Sequence, residues 1–492
     1  MTTNRRNFLK TATFAGAGAM TGGLITGCTS PQQPSSNMAE ILESARKSHI
    51  QKFNMSGFAA PPIPVVRVGF IGLGDRGSEA VKRLSLIDGV EITALCDLRK
   101  AALEGSQNYL RSVGRPAARE YTGDDFAWKK LTELPDLDLI YIVTPWIWHT
   151  QMAVNAMENG KHTCCEVPIA RTVDEAWQLV ETSERTKKHC MMLENCCYDF
   201  FELLTLNMAR QGMFGDIIHG EGAYIHNLLE MNFRKPVDDQ QTDDAYTNMW
   251  RLRENATRNG NVYPTHGLGP ICQALNINRG DKMEHLSSVS TSDFSMGAKE
   301  KELVAGDPFY GEWKESKFRG NLNTSIIKTA MGKTIMVQHD TSSTQPYSRI
   351  HLVKGTKGMV CKYPIEHIAL GEEWADESKM KELYEKYTPE IVKRVGEMAK
   401  KVGGHGGMDF IMDWRTIDCL RNGLALDQNV YDGALWSSIA PLSEWSVANN
   451  SQSIVVPDFT GGSWKTNKPH DINLEAGGNT KIMELKEAGS VI

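Results

Sequence analysis

The sequence predicts an α/β protein, with a doubly wound parallel sheet in its first half and a second sheet followed by long helices. Three observations carry this. A β-branched run at 65–71 opens directly into Gly72-Leu73-Gly74-Asp75-Arg76-Gly77. Strand-like and helix-like segments then alternate as far as residue 195, the pattern of a parallel sheet. Beyond residue 210 short strand patterns follow one another, with turn residues such as Met331-Gly332-Lys333 between them.

The first 28 residues read as an export address. Asn4-Arg5-Arg6-Asn7-Phe8-Leu9-Lys10 has the form of a twin-arginine signal, and 11–25 is a moderately apolar stretch rich in Ala and Gly. Leu24-Ile25-Thr26-Gly27-Cys28 resembles a lipobox, which makes Cys28 the expected lipid-bearing residue. The stretch is too short and too glycine-rich to span a membrane, which takes about 20 apolar residues. A lipid on Cys28 is then the only membrane attachment expected, at the periplasmic or cell-surface side. Residues 29–64, rich in Ser, Pro, Gln and Ala, read as a tether.

The remaining length suits two domains, 65–196 and 197–492. A net charge of -6 and a pI near 6.1 argue against a nucleic-acid partner, because phosphate backbones attract basic surfaces. The ten cysteines include two adjacent pairs and no C-x-x-C, so they read as buried small hydrophobes. No His, Cys and Asp spacing suggests a metal site. The acidic stretch 238–244 reads as a solvated loop, again without metal.

The run at 65–71 is the first strand, and 78–86 continues from the glycine loop as a helix. Gly72 permits the tight turn, Gly74 lets a pyrophosphate approach the backbone, and Gly77 allows close helix–strand packing. The helix start adds free N–H groups and a positive dipole end. A second strand at 91–97 ends on Asp97, twenty residues after Gly77, where an acid binds a ribose 2′-hydroxyl. That acid repels a 2′-phosphate, so the cofactor expected is NAD. Further strands at 137–143 and 161–166 flank a helix at 150–159, and the strand 189–195 follows a helix at 180–188. Ligands in such sheets bind at carboxyl ends of strands. Asp75, Arg76, Asp97, Trp146, His149, Glu166 and Asn195 all fall there.

After a helix at 200–210, strands are expected at 217–228, 285–294, 324–330, 334–341, 348–354 and 358–363. Helices follow at 376–401, 408–424 and 432–449. Between the first two of these strands lies Tyr263-Pro264-Thr265-His266-Gly267-Leu268-Gly269-Pro270. Tyr263 and His266 are three apart and would share a face at a helix start. A phenol–imidazole pair can move protons, the phenol when neighbours lower its pKa; a capping turn with a core tyrosine fits the residues equally well. Gly403-Gly404-His405-Gly406-Gly407 reads either as a lid over a site, in this subunit or a neighbour, or as a connection between helices.

The order G-x-G-x-x-G, Asp97, Thr144-Pro145…His149, Gly160-Lys161-His162 and Glu166-Val167-Pro168 resembles the Gfo/Idh/MocA oxidoreductases. That resemblance implies a Rossmann domain followed by an α/β domain with an open, mainly antiparallel sheet, which in this group packs into dimers. Its dehydrogenases have Glu-Lys-Pro where this chain has Val167, and valine moves no proton. With Tyr263–Pro270 and the twin-arginine start, the chain is similar to glycoside hydrolase family 109, NAD-dependent α-N-acetylgalactosaminidases. The resemblance implies NAD contacts at Asp75, Arg76, Asp97, Trp146, His149, Glu166, Val167, Asn195 and His266. It places Tyr263 and His266 in the active site, and Tyr224, Arg251, Tyr263 and Tyr347 against the sugar. Tyr224 and Tyr347 would orient the sugar or donate to the leaving oxygen.

The implied chemistry needs no carboxylate pair, an NAD-dependent class being a known exception to that rule. The sugar is oxidised at C3, which acidifies the C2 proton; the C1 substituent leaves by elimination, water adds, and C3 is reduced again. NAD is then held tightly and recycled, so an exported protein needs no cofactor supply. Two other readings stay open from the residues: a sugar or polyol dehydrogenase, and a lipid-anchored glycan-binding protein without catalysis.

Overall fold

Six short strands, most of them runs of β-branched and apolar residues, form one parallel sheet in the computed structural model, which describes residues 37–236 and 249–483. They are β1 (Val66–Ile71), β2 (Val90–Cys96), β3 (Arg119–Tyr121), β4 (Leu139–Ile142), β5 (His162–Cys165) and β6 (Cys190–Met192). Their order is β3-β2-β1-β4-β5-β6, all parallel, the doubly wound arrangement expected. The central strands β1 and β4 are almost wholly buried, as strands covered by helices on both faces must be. The strand order reverses between β1 and β4, and the glycine loop leaves β1 at that point.

The second sheet has eight strands: β7 (Ile217–Ile225), β8 (Met283–Ser290), β9 (Leu322–Thr329), β10 (Thr334–Asp340), β11 (Leu352–Gly355), β12 (Gly358–Cys361), β13 (His367–Leu370) and β14 (Ile454–Val455). Their order is β13-β12-β11-β7-β10-β9-β8-β14, antiparallel throughout except for the pair β7 and β10. Alternating burial along β9 and β10 shows one face covered and one open. The helix Thr265–Ala274 lies on the covered face. There Gly222 and Gly267 meet: a Cβ on Gly222 would fall 2.1 Å from the Gly267 carbonyl oxygen. The same helix presses on the turn after β6, where a Cβ on Gly269 would lie 2.9 Å from Glu194 Cγ. The glycines after His266 therefore let one helix touch both sheets' working ends.

Several expectations shift. Residues 37–64 are not a tether. The helix Met38–Ala45 packs on the helices Val173–Thr186 and Val430–Ala448 and buries Ile41 and Ala45. The Trp177 indole donates to the Ser44 carbonyl at 2.9 Å, and Glu184 receives His49 at 2.8 Å and the Tyr431 hydroxyl at 2.9 Å. The expected helix 376–401 is two, Glu377–Tyr387 and Glu390–Val402, parted at Pro389, whose ring cannot continue a helix. The signal with Cys28, the residues 29–36 and the acidic stretch 238–244 lie outside the described residues. The nine described cysteines are free and eight are buried, in line with the hydrophobe reading.

Candidate active site

The cofactor end is built at the carboxyl edge of the first sheet. Gly72 has φ +91, and a Cβ there would sit 2.4 Å from the Val143 carbonyl oxygen. A Cβ on Gly77 would strike the Gly72 carbonyl oxygen at 2.0 Å. At Gly74 the only atom within 4 Å of such a Cβ is an Arg99 nitrogen at 3.6 Å, so the backbone there is open to approach. The helix Asp75–Ser85 starts at Gly74 with no side-chain cap, leaving its first N–H groups for an anion. This cradle fits a pyrophosphate. Asp97 lies at the end of β2, its carboxylate accepting the Leu73 and Arg99 N–H groups at 2.7 and 2.8 Å.

Arg76 faces across the sheet end. It donates to Glu166 at 2.9 Å and to Asp409 at 2.7 Å, and approaches His405 Nδ1 at 3.0 Å. The other oxygen of Asp409 accepts the Asn195 amide at 2.5 Å. Burial would raise the Asp409 carboxyl, but Arg76 and its other partners outweigh that and hold it well below the usual range. His149 behaves differently from the expectation. Its ring is wholly buried, with Nδ1 and Nε2 each 2.7 Å from a backbone carbonyl, of Pro168 and Thr144. Burial is the largest influence and lowers its pKa, against the pull of the two carbonyls; the neutral ring donates to one of them and packs against the other. Val167 is also buried, in a cis peptide with Pro168.

The sugar-binding expectations converge on one aromatic cluster. Tyr224, near the end of β7, has its ring 4.8 Å from that of Tyr263 and 5.3 Å from that of His266. Tyr347 stands 6.3 Å from Tyr224 and 5.1 Å from His226. The Arg251 guanidinium lies 4.3 Å from the Trp146 ring and 4.7 Å from the Tyr263 ring, joining the cofactor strand end to the sugar side. Tyr263 Oη is 3.3 Å from His266 Nε2, while His266 Nδ1 is 2.8 and 3.0 Å from the two oxygens of Glu194.

These contacts set the proton inventory. Glu194 is fully buried, which alone would raise its pKa; His266 outweighs that and keeps it lowered, so Glu194 is a carboxylate. A carboxylate accepts, so His266 donates from Nδ1, and its Nε2 faces the Tyr263 hydroxyl. Tyr263 corrects the sequence reading: burial raises its pKa well above that of a free phenol, against the pull of Arg251. It is a hydrogen-bond donor, not an ionising acid. Tyr347 is raised too, again chiefly by burial. His226, whose Nδ1 meets the Tyr224 hydroxyl at 2.9 Å, is lowered by burial and then by Arg251. Glu194, Cys196 and His266 offer three ligand-type atoms within 4.8 Å of one another, a grouping no sequence spacing announced.

Residues 198–466 match the glycosyl hydrolase 109 C-terminal domain, and residues 66–194 match the NAD-binding Rossmann fold of the Gfo/Idh/MocA oxidoreductases. The chain is 44% identical over 471 residues to a glycosyl hydrolase family 109 protein of Shewanella baltica, covering 95% of this chain and 98% of that one. The chain belongs to glycosyl hydrolase family 109. A second relative of that name, from Shewanella pealeana, is 44% identical over 474 residues, 95% of this chain and 99% of its own. Solved structures share the fold: an NAD-binding oxidoreductase from Klebsiella pneumoniae superposes with TM-score 0.60 at 16% identity, over 80% of this chain and all of that one. Scyllo-inositol dehydrogenase from Lactobacillus casei, bound to NAD(H) and scyllo-inositol, gives TM-score 0.55 at 13% identity, over 80% and 99%.

As a family 109 protein the chain is a glycoside hydrolase on an NAD-binding fold, and its site holds groups the sequence reading passed over. Glu194 was hidden as the residue before Asn195, a strand end judged only for cofactor contact. His226 follows Tyr224 by two residues, the spacing that puts side chains on one face of an extended segment. Asp409 stood beside the glycine-rich loop, and only folding shows that it bridges Arg76 and Asn195.

Proposed function

We propose that the protein releases terminal α-linked N-acetylgalactosamine from glycans by a redox-neutral mechanism with tightly held NAD. The observation that carries this reading is the relay from Tyr263 through His266 to the buried Glu194, set beside an intact pyrophosphate cradle. A binder needs no such relay, and a net dehydrogenase would need a cofactor supply. The residues that would hold NAD are the 72–77 loop, Asp97, Arg76, Trp146, Glu166 and Asn195. Bound there, NAD supplies a two-electron acceptor that borrows electrons from a sugar carbon and returns them.

His266 Nε2 takes the proton of the sugar hydroxyl on the carbon being oxidised, and Glu194 stabilises the imidazolium that results. Tyr263, a neutral phenol, donates a hydrogen bond to the oxygen beside it. Tyr224, Arg251 and Tyr347 wall and orient the ring. Removing the C2 proton calls for a base, the place of His226, whose pKa is lowered by burial and which stands beside Tyr224 and Tyr347. Expelling the C1 substituent calls for a further acid. Tyr263 and Tyr347 are poor acids because burial raises them, and His266 is engaged with Glu194.

His405 remains. Its side chain is 55% exposed, and its Nδ1 lies 2.9 Å from Asp409 and 3.0 Å from Arg76. It sits in a run of five left-handed residues, 403–407, a turn that glycine permits at little cost. His405 protonates the leaving oxygen in this mechanism.

The test is one incubation with a chromogenic α-N-acetylgalactosaminide, following aglycone release and absorbance at 340 nm together. Release without net NADH is expected, with solvent deuterium at C2 of the product. NADH accumulation would make the protein a dehydrogenase, and silence in both channels a binder. The reading includes export and a lipid on Cys28, supported by the pattern of residues 1–28. Labelled palmitate should enter the full chain and be lost in Cys28→Ala.

A further inference from the structure

Four charged side chains lie together beneath Tyr347 and serve no step above. Arg349 donates to Asp199 and to Glu202, each at 2.7 Å, and Lys362 donates to the same two carboxylates at 2.5 and 2.8 Å. Arg349 and Glu202 are almost wholly buried. The group is balanced, two cations against two anions, as burial at this depth demands. Its members come from two places in the chain. Asp199 caps the helix Phe200–Arg210, which follows the turn carrying Glu194 and Asn195. Arg349 and Lys362 belong to the second sheet's side of the site.

Arg349 also reaches the sugar wall. Its Nη1 donates to the Tyr347 hydroxyl at 3.2 Å, and its guanidinium lies 5.9 Å from the Tyr347 ring and 5.8 Å from the Tyr363 ring. The backbone around it is fastened to β7 next to Tyr224. The Ala223 N–H donates to the Arg349 carbonyl at 2.8 Å, and Ile225 and Ser348 exchange two hydrogen bonds of 3.0 Å. Directly afterwards Ile350 and His351 adopt φ of +59° and +49°, a conformation that a β-branched residue such as Ile350 rarely takes. Such backbone persists where surrounding contacts over-determine it.

We propose that Arg349 is a positioning residue for Tyr347, holding the phenol against the sugar by linking it to the buried carboxylates behind the Glu194 turn. The proposal rests on the reading of Tyr347 as a sugar contact. An arginine suits the task because Nη1 reaches Tyr347 while Nη2 serves both carboxylates. A lysine has all its donors on one nitrogen and could hold the carboxylates, as Lys362 does, without spanning to the phenol. Arg349→Lys keeps the charge balance while giving up the fork, so it isolates the positioning role from the electrostatic one.

Three variants test this: Arg349→Lys, Tyr347→Phe and the double variant. Each single change should raise KM for the glycoside about three- to tenfold, the loss of one hydrogen bond's worth of binding. With kcat changed by less than about threefold, the loss is one of ground-state binding. The double variant should be no worse than Tyr347→Phe alone, because both changes remove the same contact. A wild-type KM in Arg349→Lys, or KM effects that multiply, would overturn the proposal. If Arg349→Lys does not fold, Arg349→Gln with Glu202→Gln keeps the cluster neutral and carries the same expectations. A crystal structure of the variant separates this from failure of the functional reading. Even if the wild type released no sugar, a Tyr347 ring unmoved in the variant would refute the positioning role.

Discussion

Replacing Glu194 by Gln is the sharpest probe of the proton relay. The carboxylate is fully buried and holds His266 Nδ1 at 2.8 and 3.0 Å through its two oxygens. It also accepts the Cys196 N–H at 3.1 Å, a bond that an amide oxygen can keep. What the change removes is the charge on the acceptor. Hydrogen bonds to a charged group contribute about 1.5–3 kcal/mol. If that stabilisation appears only when His266 becomes imidazolium, turnover falls by about ten- to 150-fold, at about 1.4 kcal/mol per factor of ten. An amide that turns its NH2 toward Nδ1 would force the proton onto Nε2 and deepen the loss, since Nε2 could then no longer accept.

The pH profile adds a constraint. Burial raises the Glu194 carboxyl, yet His266 keeps the net shift downward, so Glu194 stays ionised at pH values above about 4.3, the unperturbed value. Between pH 5 and 8 the wild-type enzyme therefore keeps the charge that Glu194→Gln removes, and the loss should be present throughout that range. The assay is kcat on the chromogenic glycoside with NAD content checked by absorbance of the denatured extract. Turnover within twofold of wild type, at full NAD content, would refute the relay.

Gly77→Ala should abolish NAD retention, because its Cβ would lie 2.0 Å from the Gly72 carbonyl oxygen and backbone cannot yield; an intact NAD stoichiometry after desalting would contradict the cradle. His405→Ala should slow release of poor leaving groups far more than that of a nitrophenol, as loss of a general acid does; a uniform reduction across leaving groups would remove His405 from that role. Burial pushes His189 and His351 down to about 3. In the unfolded chain each titrates near 6.5, so below that pH the unfolded state binds protons the fold refuses. Stability is then complete above about 6.5 and falls toward 3, by about 2 kcal/mol per histidine at pH 5. Urea midpoints that match at pH 7.5 and 5.0 would contradict this.

The cofactor half was legible because its signals are local. A strand run, three glycines and an acid at fixed spacing lie within one stretch of chain, and each is explained by a clash or an opening at its own position. The sugar half was legible only as a set of candidates. Tyr224, Arg251, Tyr263 and Tyr347 are far apart in sequence, and their convergence depends on one helix packing through Gly267 onto β7. Where the outcome hangs on long-range contact, residue type misleads. His149 looked like a ligand and is consumed by two carbonyls; Tyr263 looked like a phenol whose pKa is lowered and is raised by burial. The segment 37–64 has the composition of a linker, yet Ile41 and Ala45 sit at helical spacing and find a groove between helices from opposite ends of the chain. Strand β14 is a β-branched pair, Ile454–Val455, too short to read alone before Pro457, and its pairing with β8 fixes it.

Val167 bears on where the proposed proton chemistry sits. The position after Glu166, at the end of β5, is a buried valine followed by a cis proline, and valine moves no proton. The neighbouring strand end, after β6, supplies Glu194 instead, and the helix that packs against it through Gly269 supplies His266. A histidine backed by a buried carboxylate can take a proton while the sugar is oxidised and hand it back when the sugar is reduced. A reaction that ends with its cofactor as it began needs a proton relay that is also restored within the same turnover. In the proposed mechanism the Glu194–His266 pair meets that requirement, between the turn after β6 and the helix Thr265–Ala274 that packs on β7.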